Sequence, residues 1–200
     1  MRAHHISFAV ICAVCFALSA CALIAPATAP KNEQKTPVVN IIALLPVESN
    51  TADTKAIKML RTKLSEELRF KGYSQIASET IDSKLEPLTG NDKLKKSRAI
   101  PPQAIEELLG ADGAMYCTLL ENQSSTRLFY SPVTVAVRCE LRSTKSGESL
   151  WNAEYRSTSR SFDLFRTDLK MKSVGGLEEA LEEAVGKVME SLPYGPKLRG

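Results

Sequence analysis

Apolar residues fall into runs whose spacing changes along the chain. Val38, Val39, Ile41, Ile42, Leu44 and Leu45 form a nearly continuous run stopped by Pro46, as in a strand covered on both faces. From about Asp53 the period becomes helical. Ile57, Leu60, Leu64 and Leu68 share a face, and Gly72 supplies the stop. Tyr73 to Ala77 reads as a short strand and Thr80 to Leu88 as a short helix. Residues 89 to 100 are polar and basic, a surface loop. Pro101-Pro102 then open a helix carrying Ile105, Leu108 and Leu109 and ended by Gly110.

The second half reads differently. Ala114 to Leu120 is a strand and Asn122 to Ser125 a turn. In the next strand Val133, Val135, Val137, Cys139 and Leu141 alternate with polar Thr134, Arg138, Glu140 and Arg142. Ser143 to Glu148 turn the chain, and Leu150 to Ser157 return it with Trp151, Ala153 and Tyr155 on one face. A last helix carries Leu177, Leu181, Ala184, Val185, Val188 and Leu192, with Glu178, Glu179, Glu182 and Glu183 on its N-terminal side and Pro193 after it. The order is β-α-β-α-α-β-β-β-α. It predicts an α/β fold: a single mixed sheet, parallel at first and antiparallel later, with helices packed on it.

The front of the chain carries an address. After Arg2, Ile6 to Leu18 form an apolar stretch too short to span a bilayer. It closes on Leu18-Ser19-Ala20-Cys21, the pattern of a bacterial lipobox. Residues 1–20 then form a signal peptide, cleaved between Ala20 and Cys21, with Cys21 the acylated anchor. The alternative is an ordinary secretory peptide cleaved further on, with Cys21 incidental. Residues 21–37, with prolines at 26, 30 and 37, read as a tether, residues 38–193 as the domain and residues 194–200 as a flexible tail. Ala22 rather than aspartate follows the cysteine, which points to the periplasmic face of the outer membrane.

Composition narrows the chemistry. Lys and Arg number 26 against 23 Asp and Glu. No basic stripe suits nucleic acid, and the cluster Lys93, Lys95, Lys96 and Arg98 is read as solvated loop. The only histidines, His4 and His5, lie in the leader, so histidine bases, histidine metal ligands and Ser-His or Cys-His nucleophiles are excluded beyond it. Cys12 and Cys15 leave with the leader as small apolar residues, Cys117 and Cys139 show no C-x-x-C spacing, and no glycine-rich phosphate loop occurs. No catalytic residue, metal or cofactor is expected. Cys117 and Cys139 both fall on the apolar side of neighbouring strands. Two buried free thiols are the first expectation, because the sequence does not fix their register; a disulfide is the alternative.

A set of short motifs occurs in order: Ile41-Ile42-Ala43-Leu44-Leu45-Pro46-Val47-Glu48-Ser49, Gly72-Tyr73, Leu109-Gly110-Ala111-Asp112-Gly113-Ala114 and Ser146-Gly147-Glu148-Ser149-Leu150-Trp151. Behind a lipobox, this series resembles the outer-membrane lipoproteins with a TolB amino-terminal-like domain, among them the family labelled peptidoglycan-associated lipoprotein. CsgG and LpoB are more distantly similar. The resemblance covers roughly residues 38 to 192. It implies a TolB-like α/β fold and an accessory role in an envelope-spanning assembly. The membrane hairpins of CsgG-like pore formers are missing, so a self-made pore is not expected.

Within these motifs Asp112 reads as a cap on backbone N–H groups, Gly110 and Gly147 as positive-φ positions, and Trp151 as packing. Phe162, Phe165 and Leu169 fall on one helical face between the last strand and helix, where they either cover the sheet or form a partner surface. The function expected is association with other envelope lipoproteins or with itself, held at the membrane by the lipid. Two alternatives are a regulator contacting a peptidoglycan synthase and a carboxylate-dependent wall hydrolase. Nothing in the residues supports direct peptidoglycan binding. The tether spans only about 55 Å fully extended, which disfavours the synthase contact.

Overall fold

The computed structural model describes residues 39–89, 97–125, 129–162 and 166–198, with the backbone path alone at residues 89 and 166–174. Strands β1 (Ile41–Leu44) and β2 (Glu48–Ser49) precede helix α1 (Thr54–Phe70). Then come β3 (Ser74–Gln75), α2 (Ser78–Thr89), a 3-10 turn (Ser97–Ala99) and α3 (Pro102–Leu109). The long strands β4 (Gly113–Ser124), β5 (Tyr130–Ser143) and β6 (Ser149–Phe162) lead to α4 (Arg166–Glu190). The sheet order is β3-β1-β4-β5-β6, with β2 also paired to β4. β1 is parallel to β3 and β4, while β4, β5 and β6 form an antiparallel meander.

Alternation in the strands builds two cores. Ile42, Leu44, Met115, Cys117, Leu119, Val135, Val137, Cys139 and Leu141 face α1 and α4. Ala43, Leu45, Ala114 and Tyr116 face α2 and α3 on the other side. On α1, Leu60, Leu64 and Leu68 are fully buried; burying each contributes about 1.5–3 kcal/mol. Asp53 caps this helix, its Oδ1 accepting from the N–H of Ala56 at 3.0 Å. Gly110 ends α3 at φ 66° and Gly147 turns the β5–β6 hairpin at φ 75°, the left-handed conformations that favour glycine.

Several boundaries differ from the sequence reading. Asn122 to Ser124 are not a turn but the end of β4, paired with Val135, Thr134 and Val133. A register shift between Leu119 and Glu121 puts these polar residues at the sheet's margin, where Asn122 donates to Asp53 at 2.9 Å. β6 runs on past Ser157 to Phe162. Residues 194–198, read as flexible tail, dock on the α1–β3 turn: Gly195 N–H donates to Lys71 O at 2.7 Å, and residues 196–198 form a 3-10 turn.

The register also sets Cys117 directly opposite Cys139, Cα atoms 4.2 Å apart, and their sulfurs are bonded. This corrects the first expectation of free thiols. The sequence showed the shared face but not the pairing.

Candidate functional site

β5 opens on Tyr130 and β6 ends on Phe162, and the antiparallel register makes them partners. Their ring centroids lie 5.1 Å apart at 38°, a contact of about 0.5–1.5 kcal/mol. Phe162 remains 66% exposed and neighbouring Phe129 51% exposed. The cause is alternation. Asn152, Glu154, Arg156, Thr158, Arg160 and Phe162 all point to the open face of β6, so Phe162 is the apolar end of a polar row. Exposed large apolar groups placed together mark contact surfaces more than chance scatter does.

The structure does not unite the sequence-predicted trio. Phe162 belongs to strand β6, not to a helical face. Phe165 lies outside the described residues, as does the side chain of Leu169, whose backbone is in α4. The strand was longer than expected because Ser157 and Ser159, polar in sequence, are buried under α4. Sequence reasoning missed Phe129 and Tyr130; the signal available was their adjacency just before an alternating strand.

Beside this tip, the face of β5 and β6 opposite α4 is a lattice of fixed charges. Arg138 pairs with Glu154 at 2.6 Å, Arg142 with Glu140 at 2.9 Å, and Arg156 with Glu121. Hydrogen bonding from Arg142 holds the Glu140 carboxyl below the usual carboxylate range, against the opposing effect of burial. The Arg142 guanidinium also sits 5.5 Å from the Tyr116 ring centroid. Burial pushes the Tyr116 phenol up to about 12, and its hydroxyl donates to the Ile100 carbonyl at 2.8 Å. Such pairs fix orientation but contribute only about 0–1 kcal/mol each at a surface. Their carboxylates are engaged by guanidinium groups.

The remaining candidates have structural places. Asp112 Oδ2 accepts from the N–H groups of Asn40 and Ile41 at 3.2 Å, clamping the start of β1. Trp151 is half-buried against the larger core and donates to Ser191 Oγ at 3.0 Å. Gly113 leaves no room for a side chain: an added Cβ would lie 2.8 Å from Val39. Cys21 and Ala20 lie outside the described residues. Among the described residues no group of His, Cys, Asp and Glu could hold a metal ion, and no helix is long and apolar enough to cross a membrane.

Comparison with known proteins bears on the whole domain. The family described as "Putative lipoprotein GNA1162-like" matches residues 31–191. The fold is similar to that of lipoprotein GNA1162 from Neisseria meningitidis, at 18% identity and a TM-score of 0.56, covering 70% of this chain and 96% of that one. It is also similar to the PelC dodecamer from Paraburkholderia phytofirmans, at 16% identity and a TM-score of 0.51, covering 78% of this chain and 89% of that one. LpoB from E. coli is a weaker likeness, at 14% identity and a TM-score of 0.47, over 64% of this chain and 60% of that one. At these identities the likeness is one of fold. No curated protein matches the sequence.

Proposed function

The chain belongs to the GNA1162-like lipoprotein family, and on that premise we propose that it is a non-enzymatic lipoprotein of the cell envelope that works by binding other proteins. Cys21 carries the lipid, at the periplasmic face of the outer membrane, and the domain reaches its partners from there. Those partners are other envelope lipoproteins or copies of the chain itself. The similarity to PelC, which forms a dodecamer, supports the second.

One observation carries this reading: an aromatic tip in which exposed Phe162 packs on half-buried Tyr130, with Phe129 exposed next to Tyr130 in the chain. A few apolar anchors of this kind supply most of the energy of protein interfaces. The tip sits at the end of β5 and β6 far from Val39, the first described residue, which lies beside Gly113 at the start of β4. At about 3.4 Å per residue, the length of β6 separates the two ends by roughly 45 Å.

Photo-crosslinking in intact membranes tests it. A benzophenone side chain at position 162 should give a discrete adduct. The same probe at Glu107, exposed on α3, should give none. Adducts absent from 162, or equal from both, would contradict the reading.

A further inference from the structure

The strand that ends in this tip is itself unfinished. β6 is 14 residues long and hydrogen-bonds to β5 on one side. Among the described residues no strand pairs with its other side. A free edge presents a row of unpaired N–H and C=O groups, which proteins commonly blunt with proline, lysine or bulges. From Ser149 to Phe162 there is neither proline nor lysine, and the register shift against β5 falls at the first residues only. The charges β6 does carry at its centre are drawn inward over the sheet: Glu154 to Arg138 and Arg156 to Glu121. Among the described residues the edge is left open.

Helix α4 walls one side of it. Ser159 Oγ donates to Glu179 at 2.7 Å, Ser157 Oγ to Glu183 at 2.5 Å, and Trp151 Nε1 to Ser191 at 3.0 Å. The helix therefore runs antiparallel to β6 along its length. Four helical residues rise about 6 Å, close to the roughly 6.8 Å between alternate residues of a strand. Glu179 and Glu183 are thus spaced to meet every second residue of a strand laid beside β6. Both are exposed, and among the described residues neither forms a salt bridge with a basic side chain, although the charge of Glu183 is felt by Lys187 one helical turn on. Their neighbours are spoken for: Lys63 pairs with Glu178 and Glu182, and Lys187 with Glu190.

We propose that this edge receives an extended segment of a partner protein with lysine or arginine at alternate positions, added to the sheet as a further strand. Backbone hydrogen bonds would hold it, and Glu179 and Glu183 would select the basic side chains. The inference rests on the reading of this domain as a binding module. A second copy of β6 fits less well. Its residues on that face are Trp151, Ala153, Tyr155, Ser157, Ser159 and Ser161, which offer no cation to either glutamate.

The test uses the full chain in non-ionic detergent at low salt, with a labelled peptide of alternating Thr and Lys beside one of alternating Thr and Glu. The Thr-Lys peptide should bind and slow hydrogen exchange along β6. The double variant Glu179→Gln, Glu183→Gln should weaken binding about tenfold while its melting temperature holds. Equal binding of both peptides, or binding unchanged in the double variant, overturns the proposal. So does protection of β6 that grows with protein concentration without peptide, which would place a second copy on the edge. If position 162 gives no adduct yet the Thr-Lys peptide protects β6, this inference stands and the aromatic tip falls. The reverse result overturns this inference alone.

Discussion

Cys117 and Cys139 face each other across β4 and β5, with Cα atoms 4.2 Å apart and a bond joining their sulfurs within the larger core. That separation is near the roughly 4.5 Å of non-hydrogen-bonded antiparallel pairs, where side chains come closest. The bond is expected to form in an oxidising compartment. Labelling of denatured, unreduced protein should then find neither thiol, and reduction should cost about 3 kcal/mol for a closed loop of this size. Two labelled thiols per chain would contradict it.

Lys71 is buried, with Nζ donating to the carbonyls of Leu192 at 3.0 Å and Glu190 at 3.3 Å, 4.7 Å from the Tyr194 ring centroid. It satisfies the end of α4 and holds the docked C-terminal residues against the α1–β3 turn. Lys71→Met should leave those carbonyls unmet and lower stability by about 1–3 kcal/mol. Denaturant midpoints measure it, and a midpoint equal to the wild type would show that the contact contributes nothing.

These two sites mark how far the sequence could be read. Where a residue's partner is the core, its period betrays it: Leu60, Leu64 and Leu68 on α1, and Val133 to Leu141 on β5, were legible as buried faces. Where the partner is polar or distant, the period is silent. Ser157 and Ser159 look like a strand's end because the carboxylates that cover them come from α4. The C-terminal residues look free because they dock through the backbone of Gly195 onto Lys71. The cysteine pairing depends on strand register, which alternation does not set. Of the candidate site, Phe162 was singled out by its apolar character, but its strand and its Tyr130 neighbour required the fold.

The Tyr116 phenol gives the protein an alkaline limit. An unfolded tyrosine ionises near pH 10, whereas burial holds Tyr116 neutral to about 12. The stability tied to this proton is complete below pH 10 and is lost as pH rises from 10 to 12. Tyr116→Phe should lose about 0.5–1.5 kcal/mol at neutral pH, with the hydrogen bond to Ile100. It should also flatten the fall in stability between pH 10 and 12. An unchanged slope in the variant would assign the alkaline loss to other groups.

The anchor reading has its own test. Cys21→Ser removes the proposed acylation site, so the protein should leave the membrane fraction and take up no palmitate label. Labelling that persists in the variant would refute lipidation at Cys21.

If the domain acts through its aromatic tip, Phe162→Ser should disable it most directly. Phe162 is 66% exposed, so truncation should remove little beyond its contact with Tyr130, about 1 kcal/mol or a few degrees in melting temperature. The variant should stay folded but no longer recover its partner, or its own oligomer, when co-purified from membranes. A folded variant that recovers the complex undiminished would contradict it.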